Sequence, residues 1–123
     1  MKKERYYEED GKCWYESTLI KFAKNKKNIT TYNKLFILNE FEDLKINWKI
    51  DNIRDFMFHE KRVNYVNTNY PIILTPEGNI ADGMHRLVKA LIYKELYIKF
   101  EVYDDEILPA VQLKKMPKHD FEI

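Results

Sequence analysis

The passage from strand to helix within residues 80–90, which read IADGMHRLVKA, is the most informative feature of this sequence. Residues 80–82 predict a short strand, and a helix is predicted to follow it directly. Gly83 stands between the two elements and lets a ligand approach the backbone closely. Because the start of a helix offers unpaired backbone N–H groups and a partial positive charge, this passage predicts a site for an anion.

Side chains in the first turn of the predicted helix support the same interpretation. His85 and Arg86 can both point toward one position at the helix start. A cation there is unfavourable against the helix dipole unless an anion lies beside it, and phosphate suits such a site best. A plainer alternative is that Asp82 caps the helix and that Arg86 pairs with Asp82 or with an acid of residues 40–43.

The residues around this passage predict a small α+β domain. Residues 71–82 are predicted to form a hairpin, because a short apolar run opened by proline is followed by turn residues at 76–79. The helix after Gly83 is predicted to reach Lys94, and the alternation of residues 96–103 predicts a half-buried strand. A helix capped by Ser17 is predicted to run to about Lys27, with Leu19, Phe22 and Ala23 as its apolar stripe. Further predictions are a strand over 34–38, a helix from Asp51 in which Ile53, Phe56 and Met57 repeat at a helical period, a second helix near His59, and a short helix or strand over 107–113.

Length and composition limit the class of protein. The chain has 123 residues, of which 45% are apolar and 33% charged, and this suits one soluble globular domain. We divide it into an N-terminal extension with a short helix (1–33), a folded domain (34–113) and a fraying tail (114–123). A formal net charge of +1 gives no general attraction to nucleic acid or to an anionic membrane, so any basic site must be local.

Cysteine content and hydropathy predict the location of the protein. Cys13 is the one cysteine, so the chain can form neither an internal disulfide nor a thiolate cluster, and a lone cysteine fits a reducing compartment. No run approaches about 18 consecutive apolar residues, and the charged start of the chain is not a secretory signal. We therefore expect a cytoplasmic protein without a membrane partner.

Residues 71–102 resemble the core of the ParB/sulfiredoxin superfamily. The resemblance rests on Pro-Ile-Ile-Leu (71–74), Asp-Gly-Met-His-Arg-Leu-Val-Lys-Ala (82–90) and Ile-Lys-Phe-Glu-Val (98–102), in the order strand, turn, strand, motif, helix, strand. The strand predicted over 34–38 also fits the first strand of that fold. The resemblance implies a small mixed sheet with flanking helices, and nucleotide phosphates held where the strand turns into the helix.

Two branches of this superfamily fit the chain poorly, and a third fits it in part. Sulfiredoxins carry a catalytic cysteine directly before the His-Arg pair, where Met84 stands here and cannot act as a thiolate nucleophile. ParB proteins that read DNA use a helix-turn-helix region after the core, and only about 20 residues follow Tyr103. Free serine kinases carry Asp-Gly-His-His-Arg, which Asp82, His85 and Arg86 match and from which Met84 departs.

The resemblance implies phosphate ligands and a cofactor. Backbone N–H groups of Gly83, Met84 and His85 are expected to bind phosphate oxygens. Arg86 is expected to neutralise phosphate charge, and Lys89, one turn past His85, is a candidate for a terminal phosphate. The expected cofactors are ATP or another NTP together with Mg²⁺.

The catalytic candidates are Asp82, His85 and Glu60. Asp82 is expected to bind Mg²⁺ through water or to take a proton from an acceptor hydroxyl, and His85 to donate to phosphate or to shuttle a proton. Free serine kinases use an upstream glutamate as general base, and Glu60 is the candidate here, with Glu40 and Glu42 as alternatives.

Two functions from different classes stay open. The first is a nucleotide-dependent phosphotransferase or NTPase that acts on a small hydroxyl-bearing acceptor. The second is a non-catalytic module that holds a nucleotide or a nucleic-acid phosphate, as a DNA-associated ParB-like or nuclease-like protein would. A second acid facing Asp82 favours the enzyme, whereas a cleft lined by Arg86 and His85 alone favours the binding module.

Overall fold

The chain is a mixed α+β structure with small open sheets. The computed structural model describes residues 4–25, 29–32, 46, 48–99 and 109–123, and for 29–32 and 93–99 it describes the backbone alone. The elements within these residues are β1 (Tyr6–Glu9), β2 (Lys12–Tyr15), α1 (Glu16–Ala23), β3 (Ile29–Tyr32), α2 (Ile53–Tyr65), β4 (Ile72–Leu74), β5 (Ile80–Asp82), α3 (Met84–Lys99), β6 (Ala110–Leu113) and β7 (Phe121–Glu122).

The described residues fall into two compact units that interleave along the sequence. Unit 1 takes its residues from 1–31, 73–82 and 111–123, and unit 2 takes its residues from 32–72 and 83–110. The domain boundaries expected from the sequence stay a prediction. No helix in the described part of the chain is long and apolar enough to cross a membrane.

The C-terminal residues of unit 1 are folded rather than frayed. β7 pairs antiparallel with β2, on the side of β2 opposite β1. The carboxylate of Asp120 accepts hydrogen bonds from the N–H of Tyr15 at 2.8 Å and from the hydroxyl of Thr18 at 3.0 Å. The prediction of a fraying tail over 114–123 is therefore wrong, because these bonds fasten the tail to β2 and α1.

The first helix, α1, buries the stripe that the sequence predicts. Leu19 is fully buried, and Phe22 and Ala23 are half-buried. The predicted bounds are wrong at both ends, because the helix begins at Glu16 and ends at Ala23. Ser17 does not cap the helix with its side chain, and its N–H instead donates to the carboxylate of Glu4 at 2.8 Å.

Buried side chains from β2, α1, β4 and β6 form the core of unit 1. They are Trp14, Leu19, Ile73 and Leu113. Nε1 of Trp14 donates a hydrogen bond of 2.7 Å to the carbonyl oxygen of Pro117, so its one polar atom is satisfied.

The hairpin predicted over 71–82 is confirmed. β4 and β5 pair antiparallel, with Ile73 opposite Asp82. Thr75 closes the turn, because its N–H donates to the carbonyl oxygen of Asn79 at 2.8 Å and its hydroxyl accepts from the N–H of Asn79 at 3.0 Å. For residues 107–113 the sequence predicts either a short helix or a strand, and the structure confirms a strand, β6, over residues 110–113. The strand order in this four-stranded sheet is β3-β6-β4-β5.

In unit 2, α2 is one continuous helix. It begins after Asn52, whose side chain accepts the N–H of Asp55 at 2.9 Å, and it runs to Tyr65. The prediction that a second helix starts near His59 is therefore wrong. The side-chain cap at Asn52 is the start signal, and the charged run at 59–62 does not interrupt the helix.

The inward face of α2 is mostly polar. Its buried and half-buried residues are Asp55, His59, Arg62 and Val63, which share one side of the helix. The helix predicted from Asp51 is confirmed from Ile53 onward. The apolar residues whose period predicted it, Ile53, Phe56 and Met57, are exposed, to 78%, 56% and 46%. The polar face lies toward α3, to which it is joined by the hydrogen bonds of His59 and of the helix end.

The third helix, α3, begins directly after Gly83, as predicted. Its first internal hydrogen bond joins the N–H of Leu87 to the carbonyl oxygen of Gly83 at 3.0 Å, and Leu87 and Ala90 are buried. The helix continues to Lys99, so the prediction of a strand over 96–103 is wrong for residues 96–99. The remainder of that strand, and the strand predicted over 34–38, lie outside the described residues.

Candidate phosphate-binding site

Gly83 has the backbone conformation that connects β5 to α3. Its φ is +103°, in the left-handed region that favours glycine. A Cβ added there would lie 2.7 Å from Cγ2 of Ile72 and 3.1 Å from Nη2 of Arg86. The backbone at Gly83 is therefore packed against Ile72, and the guanidinium of Arg86 lies over the start of the helix.

The first turn of α3 differs in charge from the first turns of α1 and α2. Those helices carry Glu16 and Asp55 in the first turn, whereas α3 carries no acid there and has Arg86. The first internal hydrogen bond of α3 is made by the N–H of Leu87, and the backbone N–H groups before it point toward the helix start. A cation and the positive end of the helix dipole thus coincide, which favours an anion at this position.

Arg86 is held in place by the backbone before β4. Its Nη1 donates a hydrogen bond of 2.6 Å to the carbonyl oxygen of Pro71. This bond orients the guanidinium beside Gly83. The predicted phosphate residue is therefore oriented in advance at the helix start.

His85 is paired with His59 across the two helices of unit 2. Nδ1 of His59 lies 2.9 Å from Nε2 of His85, so one ring donates a hydrogen bond and the other accepts it. His85 is 8% exposed, while His59 is half-buried. The pair therefore joins a buried ring in the first turn of α3 to a more exposed ring on α2.

Trp48 stacks on both histidines. Its ring centroid lies 4.5 Å from that of His59 and 4.3 Å from that of His85, with interplanar angles of 7° and 18°. The two imidazoles are themselves nearly coplanar, at 12°, with centroids 5.2 Å apart. The indole therefore covers one face of the hydrogen bond between the two rings.

Arg62 adds a second cation to the inward face of α2. Its Nε is buried and has no hydrogen-bond acceptor among the residues that the structure describes. Its guanidinium carbon lies 5.9 Å from the ring centre of Phe58, and Arg62 follows His59 by one turn on the same side of the helix. A buried donor without an acceptor costs about 1–3 kcal/mol, so an added oxygen acceptor would stabilise this position.

Lys89 has a structural use in this arrangement. Its Nζ donates to the carbonyl oxygens of Asn64 and Val66, each at 2.9 Å. These carbonyls belong to the last turn of α2, where a cation also interacts well with the helix dipole. Lys89 thus joins α3 to the C-terminal end of α2, and we do not include it among the phosphate ligands proposed below.

The predicted acids are not brought together among the described residues. Glu60 is exposed on α2, Asp82 is half-buried at the end of β5 in unit 1, and Glu40 and Glu42 lie outside the described residues. In the described ranges, no group of three or more His, Cys, Asp or Glu side chains is placed to hold a metal ion. Binding of Mg²⁺ by Asp82 therefore stays a prediction.

Sequence reasoning missed two residues of this cluster. The sequence analysis assigns no functional role to His59 or to Trp48. The usable signal was the spacing of Asp55, His59 and Arg62 at four and three residues, which places three titratable side chains on one face of a helix. Trp48 lies outside the helices and gave no comparable signal.

Comparison with known proteins yields no relative. No protein-family model matches the chain, and neither a curated protein nor a solved structure matches it. The resemblance to the ParB/sulfiredoxin superfamily thus rests on the residues of the motif and on their order.

Proposed function

We propose that this chain is a ParB/sulfiredoxin-like nucleotide-binding domain that holds the phosphates of an NTP at the start of α3. The observation that carries the proposal is the position of Arg86. Its guanidinium lies over Gly83 and is fixed by the carbonyl of Pro71, at a helix end whose first turn holds no acid. An anion bound there relieves the repulsion between the guanidinium and the helix dipole.

The phosphate contacts follow from this arrangement. The backbone N–H groups of Gly83, Met84 and His85 donate to phosphate oxygens, and Arg86 neutralises their charge.

We further propose that the bound nucleotide is consumed, as in a phosphotransferase or NTPase. The acceptor would be a small hydroxyl-bearing molecule or water, with His85 as the catalytic residue beside the phosphates. Mg²⁺ would arrive with the nucleotide, and Asp82, the residue before Gly83, is the carboxylate proposed to meet it. The cytoplasm, with its reduced thiols, is the proposed location.

A binding module without catalysis is the second candidate. The exposure of Glu60 favours it, because Glu60, the first candidate for the second acid that the enzyme needs, is not directed inward. In this function, a nucleotide or a nucleic-acid phosphate binds at the start of α3 and is released without being chemically altered.

Thermal unfolding in the presence of ligands tests phosphate binding. ATP, CTP and GTP, with and without Mg²⁺, and a short DNA duplex are added in turn to the wild-type chain. A ligand at 100 times its Kd should add about 2.7 kcal/mol to the free energy of unfolding. Arg86→Ala should abolish the shift, and Arg54→Ala, in the exposed first turn of α2, should retain it. If no nucleotide raises the Tm of the wild type, the proposal is wrong.

Phosphate release separates the two candidates. Release by the wild type, lost in Asp82→Asn, supports the enzyme. Binding without release supports the module, and unchanged release in Asp82→Asn removes Asp82 from the mechanism.

A further inference from the structure

Three aromatic rings lie together on one face of the three-stranded sheet in unit 1. The ring centroid of Phe121 on β7 lies 5.1 Å from that of Tyr6 on β1 and 5.1 Å from that of Tyr15 on β2. Since β2 lies between β1 and β7, the rings of Tyr6 and Phe121 meet over β2. We call Tyr6, Tyr15 and Phe121 the ring face.

The ring face points away from the core of unit 1. Successive residues of a strand point to opposite faces of a sheet, and Trp14 belongs to the core, so Tyr15 points outward. Tyr6 is 49% exposed and Tyr15 is 36% exposed. Cys13, which faces the same way as Tyr15, is fully buried, because the rings of Tyr6 and Phe121 cover it. Apolar groups that are exposed together rather than singly mark an interaction surface.

Carboxylates give the ring face a negative charge. Glu8 lies two residues after Tyr6 and directly opposite Cys13, so its side chain is on the same face. Burial, together with the charge of Glu8, raises the pKa of the Cys13 thiol, which agrees with this placement. The carboxylate of Asp120 accepts the N–H of Tyr15 at 2.8 Å. Two acids therefore border the three rings.

The basic residues near these rings do not cancel this charge. Lys12 lies two residues before Trp14 and therefore shares the opposite face of the sheet. The ring of His119 also belongs to that face, since its centroid lies 6.3 Å from that of Trp14. Arg5, directly before β1, is paired with Glu16 at 3.7 Å. The ring face is thus complementary to a cationic partner, and it repels nucleic acid and anionic lipid.

Lysine and arginine side chains match this combination of rings and acids. A cation is attracted to the face of an aromatic ring, and a neighbouring carboxylate adds to the attraction. The apolar stems of these side chains cover ring surface while the charged end stays in water. A polypeptide can make such contacts along a flat sheet face, whereas small molecules bind in concave sites.

The edge of the sheet indicates the conformation of the partner. Within the described residues, β1 pairs with β2 on one side, and no strand lies on its other side. An extended segment can add to such an edge through main-chain hydrogen bonds, with every second side chain on the ring face. The acids Glu8 and Glu9 disfavour pairing of this edge with its own copy, since like charges would meet.

We propose that the ring face and Glu8 dock a basic, extended segment of a partner protein. The segment adds to the sheet as a strand beside β1 and places lysine or arginine side chains on Tyr6 and against Glu8. This docking surface belongs to unit 1 and does not depend on the nucleotide site proposed at the start of α3.

Peptide binding to the full chain tests the docking surface. The probe is a fluorescein-labelled peptide of about ten alternating lysine and threonine residues, long enough for one strand. Fluorescence anisotropy should show that this peptide binds. A peptide of the same length with glutamate in place of lysine should not bind, because the ring face repels it. The proposal is overturned if the lysine peptide does not bind, or if both peptides bind equally.

Substitutions on the two faces of β1 separate docking from general charge attraction. Glu8→Gln and Tyr6→Thr should each weaken binding of the lysine peptide about 2- to 5-fold. Glu9→Gln removes the same charge from the other face, where Glu9 acts on Tyr7, and should leave the affinity unchanged. Tyr65→Thr, at an exposed tyrosine of unit 2, is the control for the lost ring. Equal losses in Glu8→Gln and Glu9→Gln would overturn the proposal.

Methylation of the peptide backbone tests strand addition. In an added strand, only alternate N–H groups face β1. Two lysine peptides are compared, one methylated at the backbone nitrogen of every lysine and the other at that of every threonine. One of them should lose binding, and the other should keep it and shift the amide NMR signals of β1. Equal binding of the two peptides would overturn strand addition and the proposal with it.

Other occupants of the ring face give different results. A second copy of this chain would form a dimer in sedimentation velocity without peptide, and a dimer that Tyr6→Thr dissociates overturns the proposal. A free amine would need no extended segment, so an equal affinity for N-acetyl-lysine amide also overturns it. We expect the wild type and Tyr6→Thr to have the same oligomeric state, and the free amine to show no measurable binding.

Discussion

Nη1 of Arg86 lies 2.6 Å from the carbonyl oxygen of Pro71, so the cation of the proposed phosphate site is bonded to the residue directly before β4. The same guanidinium lies over Gly83, at the first turn of α3. A side chain that is already oriented loses less conformational freedom when a ligand binds. Arg86 therefore links the local fold at the helix start to the function proposed for it.

Replacing Gly83 by alanine should destabilise the protein more than the same change at Gly78. Both glycines have positive φ, +103° and +89°, so each change costs about 1–3 kcal/mol of backbone strain. At Gly83 the new Cβ also meets Ile72 at 2.7 Å, whereas at Gly78 nothing lies within 4 Å. We expect this contact to lower the free energy of unfolding of Gly83→Ala by about a further 1–3 kcal/mol, as measured by urea unfolding. Equal losses in the two variants would contradict the packing described for Gly83.

Lys89→Met should lower stability without affecting nucleotide binding. The methionine leaves the carbonyl oxygens of Asn64 and Val66 without the ammonium that bonds both, at a cost of about 1–3 kcal/mol. Lys61→Met, on the exposed side of α2, should change stability little. Urea unfolding measures the loss, and a thermal shift with ATP measures the binding. A nucleotide shift that disappears in Lys89→Met would return Lys89 to the phosphate site.

Asp120→Ala should destabilise unit 1. The change removes the acceptor for the N–H of Tyr15 and for the hydroxyl of Thr18, and should cost about 1–3 kcal/mol. Glu122→Ala, which removes an exposed pair with His119, should cost about 1 kcal/mol or less. If chemical unfolding shows the two variants to be equally stable, the C-terminal residues are not anchored through Asp120.

The stability of the protein should fall between about pH 10 and about pH 12 because of Tyr7. Burial, with the charges of Glu9, Glu77 and Asp10, raises the pKa of Tyr7 from 10.0 to about 12. In this range the unfolded chain loses a proton that the folded chain keeps, so the free energy of unfolding falls as pH rises. Tyr7→Phe should reduce this fall, and Tyr6→Phe, at its exposed neighbour, should keep it. Unfolding curves at several pH values check the slope, and an unchanged slope in Tyr7→Phe would refute the assignment.

The sequence predicts correctly those elements whose backbone conformation is determined by nearby glycine and turn residues. The turn at 76–79 and the break at Gly83 predict the β4–β5 hairpin and the start of α3, because glycine and turn residues determine those conformations by themselves. The prediction of a strand over 96–103 is wrong for residues 96–99 for a related reason. Short alternation also fits a helix, and no glycine or proline lies within 84–99 to end it.

The features that the sequence did not predict depend on contacts between segments that are distant along the chain. Nothing near residues 114–123 indicates that Asp120 meets Tyr15, which lies more than a hundred residues earlier. In the same way, the apolar period at Ile53 and Phe56 gives no sign that His59 faces inward to His85. At the candidate site, the motif predicted Arg86 and His85, and the fold added His59 and Trp48.

Isothermal titration calorimetry of nucleotide binding tests the central claim most directly. The Mg²⁺ complexes of ATP, CTP and GTP are titrated into the wild type, Arg86→Ala and Arg54→Ala. The account predicts one nucleotide bound per chain by the wild type and by Arg54→Ala, and binding lost in Arg86→Ala. Equal affinity in Arg86→Ala, or no heat of binding with any nucleotide in the wild type, would contradict it.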